Sequence, residues 1–314
     1  MEQHECELFD THQFRTNSLL AVMDFYYLPG SAPCRAVMMV AETVGVELNY
    51  KLTNLLNGDH LKPEFLKLNP QHCLPTLVDG DFVLWESRAI ALYLVEQYGK
   101  DDRLYPKEVR KRAVVNQRLF FDATVLYCRF AEAFYPAMKL PAKDSRELQK
   151  LDQAVAMLEV FLEGKEFVAG GDGLTVADIS TLATITTFDV ADYDLERYPN
   201  VYSWYKRVSG LTPGWRKNRR GAMQAILYRK FFQVYYPKYF TNVERELGES
   251  EAIELLNFLE QFLDGITYLT GEVISPIDRQ VTQVIGKIQQ QGISISQYSN
   301  VLTWASNIGG LQLK

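Results

Sequence analysis

A serine and a cysteine stand where a predicted strand gives way to a predicted helix, in the segment Tyr27-Leu28-Pro29-Gly30-Ser31-Ala32-Pro33-Cys34-Arg35. Backbone amides in the first turn of a helix stabilise an anion placed there. A hydroxyl at the same turn can donate to a thiolate, which favours the ionised form of a thiol whose ordinary pKa is about 8.5. Ser31 is therefore a candidate for activating a thiol, and capping of the helix is the alternative interpretation.

Other short segments carry polar groups that suit a small peptide. Leu74-Pro75 joins a loop to a predicted strand, where a cis proline would present the preceding backbone as an edge for an extended peptide. Glu86-Ser87-Arg88 opens a predicted helix, whose amides and serine hydroxyl can hold a carboxylate while the glutamate accepts an ammonium group. His60 and His72 lie in the intervening loops and can donate to a carboxylate or a thiol. Each of these taken alone also fits a surface residue or a plain helix start, whereas together they match a short peptide with a thiol and two carboxylates.

The elements that must position these residues follow a βαβ-ββα order. Apolar runs and turn residues predict strands at 23–27, 46–52, 76–78 and 82–85, the last two joined by Asp79-Gly80-Asp81. Helical spacing predicts a helix that contains Cys34 and ends at Gly45, and another over 86–98. A polar loop is predicted between the second strand and Pro75. The first part of the chain is therefore predicted to be an α/β domain.

After residue 107 the strand signals stop. Helical patterns cover 109–138, 145–162 and about 200–209, and Thr175-Val176-Ala177-Asp178 has the pattern of a capping box at the start of a further helix. Helix-compatible sequence resumes after Pro213-Gly214. This part is predicted to be an all-α helical bundle, joined to the first domain by the polar segment 100–106.

The end of the chain repeats part of this helical region. Matches recur first 101 and then 100 residues later, in the same order along the chain. The matched pairs are Tyr135-Pro136 with Tyr236-Pro237, Phe161-Leu162-Glu163-Gly164 with Phe262-Leu263-Asp264-Gly265, Thr175 with Ser275, Asp178 with Asp278, Asn200-Val201 with Asn300-Val301, Trp204 with Trp304, and Leu211 with Leu311. Residues 222–314 are predicted to be a diverged partial copy of the helical domain, and a loosely ordered vestige is the alternative.

Composition excludes several classes of protein. The 314 residues are 47% hydrophobic and carry a net charge of −6, which is typical of a globular chain and gives no electrostatic reason to expect nucleic acid. No apolar run reaches the roughly 20 residues that span a bilayer, and the N-terminus does not resemble a secretory leader. The four cysteines and four histidines have neither disulfide nor metal-ligand spacing, so we expect free thiols, no metal, and a cytoplasmic location.

Residues 23 to about 220 resemble the cytosolic glutathione transferases, most closely the Delta class of arthropods within the Delta/Epsilon type. The motifs that carry the resemblance are residues 24–35 (DFYYLPGSAPCR), 69–77 (NPQHCLPTL), 85–90 (WESRAI), 174–178 (LTVAD) and 212–215 (TPGW). The resemblance implies an N-terminal extension (1–22), a thioredoxin-like glutathione-binding domain (23–100) and an all-helical co-substrate domain (107–221). Residues 222–314 depart from the family.

The resemblance also implies roles for individual residues. Ser31 would be the catalytic hydroxyl, Pro75 would be cis, Asp178 would serve folding, and Cys34 would be a packed thiol, since Ser31 replaces the first cysteine of a thioredoxin dithiol. The implied glutathione-binding residues are Ser31, His60, His72, Cys73, Leu74, Pro75, Glu86, Ser87 and Arg88. Candidates for a hydrophobic co-substrate site, each with core packing as its alternative, are Leu28, Ala32, Pro33, Tyr127, Phe130, Tyr135 and Met138.

The implied activity is attack of the glutathione thiolate on small hydrophobic electrophiles, that is, transfer of alkyl or aryl groups to glutathione in detoxification. Glutathione would be a co-substrate, no metal would take part, and the protein would form a homodimer. Reduction of organic hydroperoxides is a possible side activity. The rival hypothesis is a non-catalytic binding or scaffolding protein with the transferase fold, because a fold does not establish a function.

Overall fold

The computed structural model describes residues 22–55, 58–135, 141–142, 144–235, 248–265, 267–269 and 276–309. For 227–235, 276–277 and 280 it describes the backbone alone. Several residues named above lie outside the described parts: residues 1–21 of the predicted extension, Met138, Tyr236-Pro237, Ser275 and Leu311.

The first domain is a four-stranded sheet with helices, as the βαβ-ββα pattern predicts. Its strands are β1 (Met23–Tyr27), β2 (Leu48–Leu52), β3 (Thr76–Asp79) and β4 (Phe82–Trp85), in the spatial order β2-β1-β3-β4. β1 is parallel to β2 and antiparallel to β3, and β3 is antiparallel to β4. The helices are α1 (Ala32–Val44), α2 (Pro63–Leu68) and α3 (Ser87–Tyr98). This is the thioredoxin-like arrangement that the resemblance implies.

Two local features differ from the sequence prediction. The segment expected to be a polar loop contains a 3₁₀ turn (Asp59–Leu61) and α2, because Pro63 favours a helix start and Phe65 is buried beneath the helix. β2 begins two residues later than predicted, because the Val46 amide still donates to Ala41 of α1 after Gly45 has ended the helix at φ +79°.

Within its described residues, the second domain consists of helices joined by loops and contains no strand. It contains α4 (Val109–Phe121), α5 (Tyr127–Phe134), α6 (Arg146–Phe161), α7 (Val176–Val190), α8 (Pro199–Leu211) and α9 (Trp215–Tyr235). The long helix predicted from residue 109 is interrupted by a π-helical turn at Asp122–Leu126. Such turns are rare and occur preferentially where a functional side chain has to be placed.

A buried carboxylate organises the helical domain. Asp178, which is fully buried, completes the predicted capping box by accepting from the Thr175 amide at 3.0 Å and the Thr175 hydroxyl at 2.7 Å. It also accepts from the Val168 amide at 2.8 Å and from Nε1 of Trp204 at 2.9 Å. One side chain thus joins the start of α7, the loop before it and α8, which agrees with its predicted role in folding.

After α9 the described residues contain three more helices: α10 (Glu249–Phe262), α11 (Pro276–Gln290) and α12 (Ser299–Ile308). Leu255, Leu259 and Phe262 of α10 and Trp304 of α12 are buried, so these helices enclose an apolar interior. In the parts of the chain that the structure describes, no helix is long and apolar enough to cross a bilayer.

We predict that Asp178→Ala lowers the free energy of unfolding by about 3 kcal/mol or more, since four buried donors lose their acceptor at once. The urea midpoint, followed by far-ultraviolet circular dichroism, measures this. Asp172→Ala is the matched control, because Asp172 lies exposed in the loop before α7. Equal midpoints for the two variants would contradict the role given to Asp178.

Candidate active site

Strand pairing brings the three polar segments to one edge of the sheet. β3 pairs antiparallel with β1 so that Thr76 lies opposite Tyr26, and it pairs with β4 so that Thr76 also lies opposite Trp85. The turn after β1, the Leu74–Pro75 bond before β3 and the start of α3 after β4 therefore lie at the same edge. The residues that the sequence singled out separately thus share one site.

Ser31 is the N-cap of α1 and is partly exposed. Its Oγ accepts from the Cys34 amide at 3.3 Å, and its own amide donates to the Leu28 carbonyl at 3.0 Å. Capping uses only a lone pair of the hydroxyl and leaves its O–H group to donate to a sulfur atom at this turn. The two interpretations of Ser31 are therefore compatible.

Cys34 lies beneath Ser31 and is completely buried. Burial raises the pKa of its thiol to about 11, although the hydrogen bond from Ser31 and the nearby Arg35 act in the opposite direction. A protonated and inaccessible thiol is not a nucleophile. At this turn the partly exposed hydroxyl of Ser31 is accessible, and the thiol of Cys34 is not.

Arg35 holds the Ser31 turn against the helical domain, a role that was not predicted from the sequence. Its buried guanidinium donates to Thr187 of α7 and to both the carbonyl and the side-chain oxygen of Asn218 in α9. Within the described ranges no carboxylate forms an ion pair with it, and burial lowers its pKa to about 10. A charge inside an otherwise apolar helix is the signal that sequence reasoning had available.

Hydrogen bonds from a buried side chain fix the turn before β3. The Leu74–Pro75 bond is cis, as the resemblance implies. Buried Asn69 donates through its side chain to the Cys73 carbonyl at 3.1 Å and to the Thr76 hydroxyl at 2.9 Å. Two internal hydrogen bonds therefore hold the backbone on which an extended ligand would pair.

The two histidines of the loops face each other. The ring centroids of His60 and His72 are 6.0 Å apart, although twelve positions separate the residues in sequence. Nδ1 of His60 is buried and has no hydrogen-bond partner among the described residues. The two histidine rings thus form one polar pair, and Nδ1 of His60 is enclosed by the protein. No cluster of three metal-ligating side chains occurs in the parts of the chain that the structure describes.

At the start of α3, Ser87 is buried while Glu86 is exposed. Glu86 has a φ of +71°, and Gln71 approaches its carboxylate at 3.5 Å. A buried hydroxyl at a helix start and an exposed carboxylate beside it can bind a carboxylate and an ammonium group, respectively.

Arg88 fixes the Ser87 side chain by a hydrogen bond. One of its terminal nitrogens donates to the Ser87 hydroxyl at 3.0 Å, and the other forms an ion pair of 2.6 Å with Asp122. Asp122 is fully buried in the π-helical turn and also accepts from Ser180 at 2.6 Å and Thr184 at 2.8 Å. Arg88 is therefore a positioning residue that links the edge of the sheet to α7, and Asp122 is a partner that was not predicted from the sequence.

The apolar candidates divide into two groups. Phe130 and Ala32 are buried, and Phe130 stacks on Phe134 and Phe188, which matches the core alternative. The remaining described candidates are partly or fully exposed: Leu28, Pro33, Tyr127 and Tyr135. The hydroxyls of the two tyrosines are 3.4 Å apart, and the Arg88 guanidinium lies 5.8 Å from the Tyr127 ring. An aromatic pair thus stands close to the positioning arginine.

Helix α9 closes one side of the site, and sequence reasoning missed its residues. Gly221 packs so closely on the Pro29 carbonyl oxygen that a Cβ at this position would overlap it. Ala225 lies one turn further along and would be 3.0 Å from a Cβ added at Gly30. The turn before Ser31 therefore rests directly on α9.

Comparison with known proteins finds two matching family profiles and several similar solved structures. Two family profiles match: Glutathione S-transferase, N-terminal domain, over residues 21–96, and Glutathione S-transferase, C-terminal domain, over residues 142–207. A delta-class glutathione transferase of Nilaparvata lugens is 52% identical, with 66% of this chain and 98% of that chain covered and a TM-score of 0.63. A glutathione transferase of Bombyx mori is 44% identical, with 65% and 96% covered and a TM-score of 0.63. A glutathione transferase homologue from Drosophila mojavensis, solved with bound glutathione, is 32% identical, with 67% and 96% covered and a TM-score of 0.60.

We predict that iodoacetamide at pH 8 labels Cys128 of the folded protein and leaves Cys34 unmodified. Cys128 is exposed, whereas the Cys34 thiol is buried and has a pKa of about 11, so it stays protonated below that pH. Peptide mapping by mass spectrometry checks this, and labelling in denaturant is the control in which both cysteines react. Labelled Cys34 in the folded protein would contradict the assignment of a packed thiol.

Proposed function

The chain belongs to the glutathione S-transferase family, and we propose that it joins the thiol of glutathione to small hydrophobic electrophiles. The observation that carries the proposal is the meeting of Ser31, the Leu74–Pro75 turn and the start of α3 at one edge of the sheet. Glutathione has a thiol, an ammonium group and two carboxylates, and these segments offer a complementary group for each.

The peptide is held by groups that do not react. Ser87 and the free amides of α3 bind one carboxylate, and Glu86 binds the ammonium group. His60 and His72, whose rings face each other beside this edge, bind the second carboxylate. The backbone at Cys73 and Leu74 pairs with the middle of the peptide, next to the cis Pro75. Arg88 takes part in binding by orienting Ser87, because one of its terminal nitrogens donates to the Ser87 hydroxyl while the other pairs with Asp122.

Ser31 activates the thiol. Its hydroxyl donates to the sulfur, and the amides of the first turn of α1 add their partial positive charge, so the pKa of the bound thiol falls. The thiolate then forms a bond from sulfur to an electrophilic carbon. In substitution on an aryl halide the bond from carbon to the halogen breaks, and halide leaves with the electron pair. Stabilising the thiolate raises the reactive fraction of bound glutathione and leaves the rest of its binding unchanged.

The partly exposed apolar residues favour a hydrophobic second substrate. Leu28, Pro33, Tyr127 and Tyr135 adjoin the Ser31 turn or the Arg88 guanidinium, and α9 bounds the turn on another side. Such a surface suits an aromatic or alkyl electrophile, and no residue here selects among them by charge. Cys34, Cys73 and Cys128 are free thiols, which fits the reducing environment of the cytoplasm.

We predict that Ser31→Ala lowers kcat/KM by about 10- to 150-fold, equivalent to the roughly 1.5–3 kcal/mol of a hydrogen bond to a charged group. Turnover with a chromogenic aryl halide measures the rate. Ultraviolet titration of bound glutathione should show a higher thiol pKa in the variant, with the dissociation constant little changed.

Ser87→Ala is the matched control for this prediction. It should raise the dissociation constant of glutathione and leave the pKa of the bound thiol as in the wild type, because Ser87 binds a carboxylate. If the thiol titrates alike in Ser31→Ala and wild type, Ser31 is not the activator. If the wild type binds immobilised glutathione without turning over any aryl halide, the binding-protein hypothesis replaces the enzyme.

We further propose that the protein is a homodimer, as is typical of this family. Val109 and Phe120 of α4 are 78% and 69% exposed and lie on the same helix face, eleven residues apart. Two large exposed apolar side chains on one face favour burial against a second copy, and most homo-oligomers close as two-fold dimers.

Light scattering at micromolar concentration should give about twice the monomer mass of 36.0 kDa. Phe120→Glu should reduce it to the monomer mass, because a carboxylate inside an apolar contact is costly. Val160→Glu is the control, since Val160 is 65% exposed on α6. A wild-type monomer would remove the dimer, and dissociation by both variants would rule out α4 as its specific contact.

A further inference from the structure

The helices after α9 reproduce the carboxylate centre of the helical domain. In the helical domain Asp178 accepts from the Val168 amide at 2.8 Å and from Nε1 of Trp204 at 2.9 Å. In the last helices Asp278, also fully buried, accepts from the Leu269 amide at 2.7 Å and from Nε1 of Trp304 at 3.3 Å. The same three types of group meet in the same arrangement at two places in the chain.

A second carboxylate is repeated as well. Glu159 of α6 accepts from the amides of Asn200 and Val201, at 3.0 and 2.9 Å, and so caps the start of α8. Glu260 of α10 accepts from the amides of Asn300 and Val301, at distances of 2.9 to 3.0 Å, and caps the start of α12. Helices α10, α11 and α12 therefore correspond to α6, α7 and α8.

The residue whose amide binds each aspartate also shows which helix begins the second set, because its carbonyl accepts a hydrogen bond from that helix. In the first set the Val168 carbonyl accepts from the side chain of Arg118, which belongs to α4. In the second set the Leu269 carbonyl accepts from the side chain of Gln224 at 2.7 Å, and Gln224 belongs to α9. Helix α9 thus stands in the second set where the continuous helix of α4, the π-helical turn and α5 stands in the first. The sequence agrees, because Leu126-Tyr127 and Phe130, which follow α4 in the π-helical turn and α5, recur 101 residues later as Leu227-Tyr228 and Phe231 of α9.

Helix α11 has a polar surface at the positions where α7 packs against the thioredoxin-like domain. Ile179, Ala183 and Thr187 form a buried stripe on α7, and Thr187 binds Arg35 of the first domain. The equivalent positions of α11 are Arg279, Gln283 and Lys287, and all three are exposed. The stripe that faces the glutathione-binding domain in the first set is a hydrophilic surface in the second.

We propose that α9 and the described residues within 248–309 form a second helical domain, so that α9 is shared with the first, and that this domain positions α9 over the Ser31 turn. The proposal rests on the glutathione transferase function proposed above and adds a determinant of co-substrate binding to it. Asp278 holds the Leu269 amide, the Leu269 carbonyl accepts from Gln224, and Gln224 lies on α9 between the two residues that touch the Ser31 turn. Those two residues are Gly221 and Ala225, which pack on Pro29 and Gly30.

Two hydrogen bonds therefore connect the interior of the second domain to the helix that supports the catalytic turn. Gln224 itself contributes no group to the glutathione site, so it is a positioning residue. Losing its hydrogen bond frees α9 from the second domain without removing any contact between α9 and Pro29. The expected effect is greater mobility of the Ser31 turn and weaker binding of the electrophile, whose site α9 bounds.

The experiment compares full-length wild type with Gln224→Ala and with Gln283→Ala, the same substitution on the exposed face of α11. Amide hydrogen exchange is followed at Gly30 and Ser31, and KM and kcat are measured with a chromogenic aryl halide. Gln224→Ala should speed exchange at Gly30 and Ser31 about fivefold, the change that corresponds to one neutral hydrogen bond. It should raise KM for the aryl halide by a similar factor with kcat retained, whereas Gln283→Ala should match the wild type.

Asp278→Asn tests the other end of the connection and should change exchange at Gly30 and Ser31 in the same direction. The proposal is overturned if Gln224→Ala speeds exchange within 249–308 and leaves Gly30, Ser31 and KM as in the wild type. The second domain would then be an independent appendage. The exchange measurement needs no turnover, so an inactive wild type would refute the proposed function without deciding the role of the second domain.

Discussion

The antiparallel pairing of β3 with β1 is the constraint on which the site depends. Because Thr76 lies opposite both Tyr26 and Trp85, three turns that are far apart in the chain emerge at one edge of the sheet. Moving β3 by one residue would turn its alternate side chains to the opposite face and separate the Pro75 turn from Ser31. The internal hydrogen bonds of Asn69 help to hold this register, since they tie the turn to the first residue of β3.

Two arginines, Arg35 buried and Arg88 half-buried, connect this edge to the helical domain by different means. Arg88 pairs with buried Asp122, so its charge is compensated. Through this pair it links Ser87 to α7, to which Asp122 is hydrogen-bonded. Arg35 has only neutral acceptors, on α7 and α9, and its low pKa reflects the cost of that burial. Both residues lie within one turn of a helix start in the site, so relative movement of the two domains would disturb the thiol and the carboxylate positions together.

Helix α9 has two sets of neighbours. One part packs on the turn before Ser31 through Gly221 and Ala225, and Gln224 between them reaches into the following helices. The aspartate and glutamate networks recur in those helices, whose described residues contain no further sheet. A glycine is required at 221 because any side chain would collide with Pro29, so α9 is closely fitted to the turn before Ser31.

The sequence by itself determined the local elements: the four strands, the cap at Gly45, the capping box of Asp178, the family and the repeated pattern of the last helices. These depend on residues a few positions apart, or on matches along the chain, which periodicity and motif spacing report directly. Only the tertiary structure decided that Arg88 meets Asp122, that Arg35 reaches α9, that His60 faces His72, and that Phe130 belongs to the core. Those contacts join residues that no short-range pattern relates, because they arise from the packing of one domain against another.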